Sequence, residues 1–265
     1  MTTVMGIKND DFDRPLYRIF PLCYFKSALS EKRLTLVRPT VWEDPHEDIC
    51  EKGQMSAKNF ETKRLLPYLQ PAFAQSWSLD GDSDALLRAY SRVIKDESTK
   101  RNIEQKYEGV QVKTTVRKLL GALATFSNSV HDKNFEFYLG SVKYVENPAQ
   151  EITNGLNSHG PKVLGEGYGR AQSLLLKRLA YRHESEVRIV VLSKSQTDDK
   201  LFNLNIDPNK LFERVKFDPR LVTSERLERE KQAKELGYHN DFEQSFEYQY
   251  TLFTMVMTKH WNEFP

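Results

Sequence analysis

The sequence predicts an α+β fold, in which helices and strands follow one another without regular alternation. Segments with apolar residues at helical spacing dominate the first half of the chain, whereas short β-rich runs are scattered along all of it. Irregular intervals separate these runs, which disfavours the strand–helix series of a parallel sheet. The chain has 265 residues, of which 39% are hydrophobic and 11% aromatic. This composition supports a sizeable core and excludes a disordered chain.

In the first half, apolar spacing and breaker residues define the predicted elements. An alternating strand follows Pro15, and a short helix comes next because apolar residues recur every three or four positions. A β-rich run then stops at Pro39, and Ser83 is a helix cap after the turn at 80–82. The predicted spans are strand 16–20, helix 22–31, strand 34–37, helix 54–69, strand 72–79, a helix from 83 to 94 and helix 112–127.

The elements of the second half of the chain are predicted from the same kinds of residue pattern. A run rich in β-branched residues predicts a buried strand at 186–192, and Gly237 ends a charged helix. Without a repeat or a long linker, we expect one domain over residues 1–265, with helical insertions at about 46–70 and 83–128. The remaining spans are strand 136–145, helix 171–180, short strands near 201–206 and 212–217, helix 222–236 and an aromatic, β-rich tail at 245–257.

Charge and hydropathy narrow the functional classes. With 39 basic and 37 acidic residues the net charge is +2, which disfavours a generic nucleic-acid binder but leaves a local basic groove open. No apolar run reaches the roughly 20 residues of a membrane span. The first 13 residues are polar and acidic, so we expect neither a signal nor a transit peptide. Two cysteines without metal spacing suit a reducing cytoplasm.

Several familiar motifs are absent or weak. Gly165, Gly167 and Gly169 follow no clear strand and lack dinucleotide-fingerprint spacing, so we interpret them as a flexible loop. The six histidines show no zinc-enzyme pattern. The acidic residues between Asp44 and Asp48 could bind a hard cation, but a turn around Pro45 is the favoured interpretation.

Two glutamates just ahead of the buried strand are the most informative feature. In strand geometry, Glu184 and Glu186 point to the same side of the sheet. Two carboxylates at the edge of a sheet can take separate catalytic roles, one stabilising a developing cation and the other polarising a nucleophile. The alternative is a pair of surface glutamates with salt bridges to Arg182 or Arg188.

Two earlier segments add polar groups to strands. Alternation places Ser76 and Ser78 on one face of their strand and Trp77 on the other. Arg18 lies inside a short apolar strand, so its guanidinium must reach solvent, a partner or an anion such as a phosphate. The alternatives are an ordinary strand edge for the serines and a water-facing edge strand for Arg18.

The order of these segments resembles the Arg–Ser–Glu class of mono-ADP-ribosyltransferases. That class has an aromatic–Arg pair on a first strand, a Ser-Thr-Ser-like motif on a second, and Glu-x-Glu followed by Val or Leu. Here the matching stretches are Tyr17-Arg18, Phe73–Ser78 and Glu184–Val187. Trp77 stands where the family commonly has Thr.

A broader resemblance covers most of the chain. It is similar to a bacterial and phage family, domain of unknown function twenty-nine seventy-one. Two tryptophans of that pattern are replaced here, by Arg88 and by Ala180 or its neighbour Tyr181. The matching stretches are 16–20, 41–48, 74–78, 86–90, 180–189 and 206–220.

Together these resemblances imply an ADP-ribosyltransferase-like split β-sandwich and NAD as the substrate, with no metal. Glu186 and Glu184 are the implied catalytic residues. Glu186 would bind the ribose 2′-hydroxyl and stabilise an oxocarbenium-like transition state, while Glu184 would position or deprotonate the acceptor. The implied NAD-binding residues are Arg18 for the pyrophosphate, Ser76 and Ser78 for orienting groups at the strand end, and Tyr90 for stacking on nicotinamide, with a core position as the alternative for Tyr90.

The acceptor stays open between a protein and a nucleic acid. A toxin or anti-phage defence role fits the setting of the similar family, and it would bring an antitoxin or immunity partner. Two other functions remain at this point. One is a non-catalytic nucleotide- or protein-binding module of the same fold, and the other is a nuclease that uses the glutamates and the acidic residues at 44–48 with Mg²⁺.

Overall fold

The structure is a computed structural model in which helices and strands alternate irregularly around one large sheet. It describes residues 2–42, 44, 46–56, 58–129, 134–160, 162–165, 167–245, 248, 255, 256 and 259. Its elements are β1 Thr2–Met5, β2 Pro15–Pro21, α1 Leu22–Ser30, β3 Arg33–Val37, β4 Gln54–Met55, β5 Lys63–Arg64, β6 Ala72–Ser78, α2 Asp84–Tyr90, β7 Gly109–Thr115, α3 Val116–Ser129, β8 Phe135–Ser141, β9 Lys143–Val145, α4 Pro148–His159, α5 Lys162–Gly165, α6 Gly167–Ser173, β10 Leu176–Arg178, β11 Glu186–Ser193, β12 Leu201–Asn205, α7 Pro208–Leu211, β13 Arg214–Phe217, α8 Thr223–Glu235 and β14 Asp241–Glu243. The α+β class is as predicted.

The large sheet runs in the order β1-β8-β11-β6-β2-β7-β13-β14, and β3 joins β6 to β12 at its side. Most neighbours are antiparallel, and the parallel pairs are β1 with β8 and β13 with β14. Because neighbouring strands come from distant parts of the chain, residues far apart in sequence meet at the middle of the sheet.

The sheet is nearly divided between β2 and β6. These strands pair at the single position Tyr17–Ser78, whereas β2 pairs with β7 through seven positions and β6 with β11 through seven. Beyond that one position the two halves separate, and the opening lies beside the middle of β2 and the end of β6.

Strand β11 lies at the centre of the half that contains β6. All eight of its residues are buried, which fits its β-branched sequence. Val187, Ile189 and Val191 face the main core, together with residues of α1 and α3. Val190 and Leu192 face a smaller core on the opposite side of the sheet. The pleat therefore puts Glu186, at an even position, on the side of the smaller core.

Several predicted helices are wrong in whole or in part. Leu65 and Leu69 are buried at helical spacing, but Pro67 lies between them, and 54–69 holds two short strands and a 3-10 turn instead. The described residues of the predicted helical insertion at 46–70 therefore contain no α-helix. Residues 109–115 form β7 rather than the start of a helix, because alternate residues are buried. The helix predicted at 171–180 ends at Ser173 and gives way to β10.

Other predictions agree with the structure. Strands 16–20, 34–37, 72–79 and 201–206 correspond to β2, β3, β6 and β12. Ser83 caps α2 by accepting a hydrogen bond from the Leu86 N–H, although that helix ends at Tyr90 rather than at 94. Sequence reasoning missed β1, α4 and α5. Most of the predicted tail at 245–257 lies outside the described residues, and a single domain stays a prediction. Among the residues that are described, no helix has the length and apolar character needed to cross a bilayer.

Candidate functional site at the divided sheet

An open cleft lies where β2 and β6 separate. Strand β2 contributes one wall, the end of β6 and the start of β11 contribute the other, and α2 closes one side. Its lining includes all six residues singled out in the sequence, which are Arg18, Ser76, Ser78, Tyr90, Glu184 and Glu186. The structure thus brings together residues separated by up to 168 positions in the sequence.

The two serines of β6 face the glutamates, while Trp77 points the other way into the core. Trp77 is 1% exposed and meets the Phe20 ring edge-on at 6.2 Å between centroids. The Ser76 hydroxyl donates to Glu186 Oε2 at 2.8 Å, and the Ser78 hydroxyl donates to the backbone carbonyl of Glu184 at 2.7 Å. Ser76 therefore orients a carboxylate, and Ser78 ties the preceding loop to the strand end.

Arg18 crosses the opening from β2. Its Nη1 donates to the Ser76 carbonyl at 2.5 Å, and the guanidinium lies over the Phe20 ring at 5.0 Å. Its Nε is buried without a hydrogen-bond partner, and it forms no ion pair with the residues that the structure describes. Burial holds the pKa of this guanidinium below its usual value. A partly desolvated cation with a spare donor, on the wall of a cleft, suits an anion such as a phosphate.

The glutamates do not share a strand as the sequence analysis assumed. Glu184 ends a 3-10 helix over Leu179–Glu184, Ser185 adopts a left-handed conformation with φ 46°, and Glu186 begins β11. Both carboxylates still turn to the same centre, because the left-handed residue between them reverses the chain locally. The expectation of surface glutamates is wrong, since Glu184 is 8% and Glu186 5% exposed.

The two glutamates belong to a buried charge cluster of Glu47, Lys177, Glu184, Glu186 and Arg188. The Lys177 ammonium lies 2.9 Å from Glu47 Oε1, 2.9 Å from Glu184 Oε2 and 2.8 Å from Glu186 Oε1. Arg188 Nη2 lies 2.9 Å from Glu47 Oε2 and 2.7 Å from Glu186 Oε2. The Arg188 bridge was anticipated as an alternative, but it is fully buried rather than exposed at the surface.

Three carboxylates face two cations in this charge cluster, so one negative charge is in excess. The excess is relieved by a raised pKa at Glu184. Burial and the hydrogen bond between the two glutamates raise the pKa of Glu184 to about 7. Burial alone would raise the pKa of Glu186 as well, but Arg188, the hydrogen bond from Glu184 and Lys177 hold it well below its usual value. Glu186 is thus ionised throughout the neutral range, while Glu184 gains or loses a proton near pH 7.

Tyr90 lies on the rim of the cleft, at the end of α2. It is 50% exposed, so the alternative that it is a core residue is wrong. Leu86, one turn earlier, is buried and holds the helix against the cleft. The ring of Tyr90 is therefore available to a flat ligand, and its stacking role stays a prediction.

Sequence reasoning missed three residues that support the glutamates. Lys177 lies in a stretch predicted to be helical, Glu47 was assigned to a turn, and Tyr144 was not considered. The Tyr144 hydroxyl accepts a hydrogen bond from the backbone N–H of Glu186 at 2.8 Å. Lys177, which follows three leucines, was the available signal, because a charge is buried only with a partner.

The acidic segment at 44–48 is already neutralised by basic side chains. Asp44 pairs with Arg178, Glu47 with Lys177 and Arg188, and Asp48 with Arg170. Glu43 and Pro45 of the predicted turn lie outside the described residues. Within the part of the chain that the structure describes, no group of three or more His, Cys, Asp or Glu residues is placed to hold a metal ion. Lys177 occupies the centre at which the nuclease hypothesis would place Mg²⁺.

The glycine-rich segment at 165–169 is not the flexible loop that the sequence suggested. Gly165 ends α5, while Gly167 and Gly169 lie in α6. A Cβ on Gly169 would clash with the Val163 carbonyl oxygen, so this glycine permits close packing of the two helices.

The left-handed conformation of Ser185 gives a first prediction. We expect Ser185→Gly to change the free energy of unfolding by less than about 1 kcal/mol, because relief of the left-handed strain offsets the added chain entropy. Ser185→Val should cost about 2 kcal/mol or more, because a branched side chain adopts positive φ poorly. Urea denaturation of both variants measures this difference. Equal losses would contradict the assigned backbone conformation.

No protein-family model matches the chain, and no curated protein matches it. Membership of the family of unknown function named above therefore stays a prediction. Comparison with solved structures finds DarT from Thermus sp. 2.9. The chain solved in complex with ADP-ribosylated ssDNA is 12% identical, with 94% of this chain and 100% of that chain covered at a TM-score of 0.38. The chain solved with NAD+ is 14% identical at a TM-score of 0.31, and the chain solved with carba-NAD+ is 15% identical at a TM-score of 0.33. Each match covers 87% of this chain and 94% of the other chain.

Proposed function

We propose that this protein is an NAD-dependent mono-ADP-ribosyltransferase that transfers ADP-ribose to a protein or nucleic-acid acceptor. The supporting observation is the meeting of an arginine from β2, a serine from β6 and a glutamate from β11 in one cleft. Arg18 reaches the Ser76 carbonyl, and the Ser76 hydroxyl reaches Glu186, so the three motifs form a continuous chain of contacts across the divided sheet. In this proposal the divided sheet is the split β-sandwich of the ADP-ribosyltransferase fold.

Arg18 and Glu186 take the two charged roles of the reaction. Arg18 binds the pyrophosphate of NAD, since its guanidinium has a spare buried donor and lacks a carboxylate partner among the described residues. Glu186 hydrogen-bonds the ribose 2′-hydroxyl. Its permanent negative charge stabilises the positive charge that develops on the ribose as nicotinamide leaves.

Glu184 and Tyr90 complete the site. Glu184, whose pKa is raised to about 7, accepts a proton from the acceptor group as that group attacks the ribose. Transfer should therefore increase with pH through the neutral range. Tyr90 presents its ring at the cleft rim for stacking on nicotinamide, and Ser76 and Ser78 hold the two glutamates in place.

The raised pKa of Glu184 also makes stability depend on pH. The ordinary value is 4.5, so the folded chain retains a proton on Glu184 that the unfolded chain loses as pH rises from about 5 to 7. This contribution is present below about pH 4.5 and is lost by about pH 7, with a slope of at most about 1.4 kcal/mol per pH unit. We expect Glu184→Gln to remove that slope in urea denaturation series at pH 5, 6, 7 and 8. Parallel pH dependences for the variant and the wild type would contradict the assignment.

The direct test is incubation of the purified protein with NAD labelled on the adenylate. We expect nicotinamide release together with transfer of label to protein or RNA in a cell lysate, without added metal. If the protein neither binds NAD nor releases nicotinamide, the proposal is wrong. Binding of ADP-ribose without turnover, seen as thermal stabilisation, would instead favour the non-catalytic module. Nucleic-acid cleavage that a chelator abolishes would favour the nuclease.

Three features remain proposals at the level of the cell. A toxin or defence role and an antitoxin or immunity partner are proposed from the resemblance in sequence, and a cytoplasmic location from the two cysteines without metal spacing. Cell growth on induction of the wild type and of Glu186→Gln tests the toxin role, because only the wild type should arrest growth.

A further inference from the structure

Lys177 differs from the other charged residues near the cleft. Its side chain is 6% exposed, it does not line the cleft, and its ammonium contacts three different carboxylates at 2.8 to 2.9 Å. A surface lysine gains little from an ion pair, whereas a buried one must recover a large desolvation cost through well-aligned partners. Such a residue is expected where the positions of the carboxylates matter.

The three carboxylates come from separate parts of the chain. Glu47 lies in the segment after β3, Glu184 ends the 3-10 helix, and Glu186 begins β11. Lys177 lies on β10, which pairs with β9 and places Lys177 beside Tyr144 in register. Since Tyr144 also binds the Glu186 backbone, the two-stranded sheet of β9 and β10 supports Glu186 at both its backbone and its side chain.

We propose that Lys177 is a positioning residue of the cleft, whose ammonium gathers Glu47, Glu184 and Glu186 on one centre and so aims the two cleft glutamates at the substrate. This inference rests on the proposed function. The carboxylate of Glu186 is also positioned by Arg188 and Ser76. Among the described residues, the Glu184 carboxyl contacts Lys177 and Glu186, and Lys177 is the cation of the two, so Lys177 governs Glu184 most strongly.

The inference makes the protonation of Glu184 depend on Lys177. Removal of the ammonium leaves Arg188, which contacts Glu47 and Glu186, as the remaining cation of the charge cluster, and the pKa of Glu184 then rises further. The titratable and charged groups that face Glu184 are Lys177 on β10, Glu186 and Arg188 on β11, Glu47, Tyr144 on β9, and Arg18 and Tyr90 across the cleft.

The test compares Lys177→Met and Lys177→Arg with the wild type. We expect Lys177→Met to lower kcat for nicotinamide release by about 100-fold, since misplacement of a reacting group by about 1 Å has an effect of that size. The KM for NAD should stay near its wild-type value, and the pH profile should shift upward by at least one unit. Lys177→Arg keeps the charge and should recover much of the rate. The control is Lys143→Met, because Lys143 is 65% exposed and pairs only with an exposed Glu151 among described residues.

A second measurement does not need turnover. With 13C-carboxyl glutamate, NMR should show one carboxyl that titrates near pH 7 in the wild type, is missing in Glu184→Gln and moves to higher pH in Lys177→Met. An unchanged titration in folded Lys177→Met overturns the inference. If the wild type releases no nicotinamide, the proposed function fails, and this titration still decides the role of Lys177.

If Lys177→Met folds poorly, a charge-balanced variant tests the inference instead. Lys177→Met with Glu47→Gln removes one cation and one carboxylate, so the remaining cluster is neutral with Glu184 protonated. We expect this double variant to recover stability while kcat stays low, because Glu184 still lacks its ion pair with Lys177. Recovery of both stability and kcat would show a purely structural role and overturn the inference.

Discussion

Replacement of Glu186 by glutamine is expected to lower the rate of nicotinamide release by about 100- to 1,000-fold, the effect of removing one group that stabilises transition-state charge. The fold should survive. Without Glu186, the charge cluster contains Glu47 and Glu184 opposite Lys177 and Arg188. Glu184 can then ionise to balance the two cations, so the variant should also lose the titration near pH 7. Single-turnover nicotinamide release and a thermal melt measure the two outcomes.

Glu47→Gln is the matched control for this prediction. It removes the same charge from the same cluster, but Glu47 does not line the cleft. We expect its rate to stay within about tenfold of the wild type, because the group nearest the developing charge is retained. Equal rate losses in Glu47→Gln and Glu186→Gln would show that total charge, rather than the position of Glu186, determines the rate. Glu151→Gln on α4 is the exposed control.

The second large effect concerns stability. Asp48 and Arg170 are each 2% exposed and form a bidentate ion pair between the segment at 46–52 and α6. Asp48→Asn leaves the Arg170 guanidinium buried without its countercharge. We expect a loss of about 3 to 5 kcal/mol in the free energy of unfolding, because an uncompensated buried charge is costly. Urea denaturation measures this loss.

An exposed pair of the same geometry provides the comparison. Arg117 binds both carboxylate oxygens of Asp13 at 2.6 and 2.8 Å, but the two side chains are 62% and 70% exposed. Asp13→Asn should therefore cost less than about 1 kcal/mol. Replacement of both buried partners, Asp48→Leu with Arg170→Met, should recover most of the stability. If Asp48→Asn costs no more than Asp13→Asn, burial of the pair contributes nothing.

The strands that form the cleft were the most predictable part of the fold. Alternation of apolar residues in β2 and β6 and the β-branched run in β11 are local signals, and each reflects burial on a known face. The helices predicted at 54–69 and 171–180 were wrong because leucines three or four apart can also be buried by short strands and turns. Pro67 was a local signal against the first of these helices, whereas at 171–180 the neighbouring segments determine where the leucines pack.

The candidate site could be predicted for the residues that line the cleft and not for those behind it. Arg18, Ser76 and the glutamates occur in short motifs whose order suggested a common site. Lys177 and Glu47 have no such motif, because an ion pair between residues 130 positions apart leaves no periodic signal. The left-handed Ser185 also could not be foreseen, since serine rarely takes positive φ.

The near-division of the sheet has one more consequence. An edge strand normally presents free backbone N–H and C=O groups to other chains and invites aggregation. Here two such edges, those of β2 and β6, face each other inside the molecule and meet only at Tyr17 and Ser78. Between that pair and the pairing of Ala74 with Val37 of β3, the Ser76 carbonyl of β6 accepts a hydrogen bond from the Arg18 side chain. A side chain thus takes the place of a neighbouring strand along this part of the β6 edge, so substitution of Arg18 would leave the Ser76 carbonyl without this hydrogen bond.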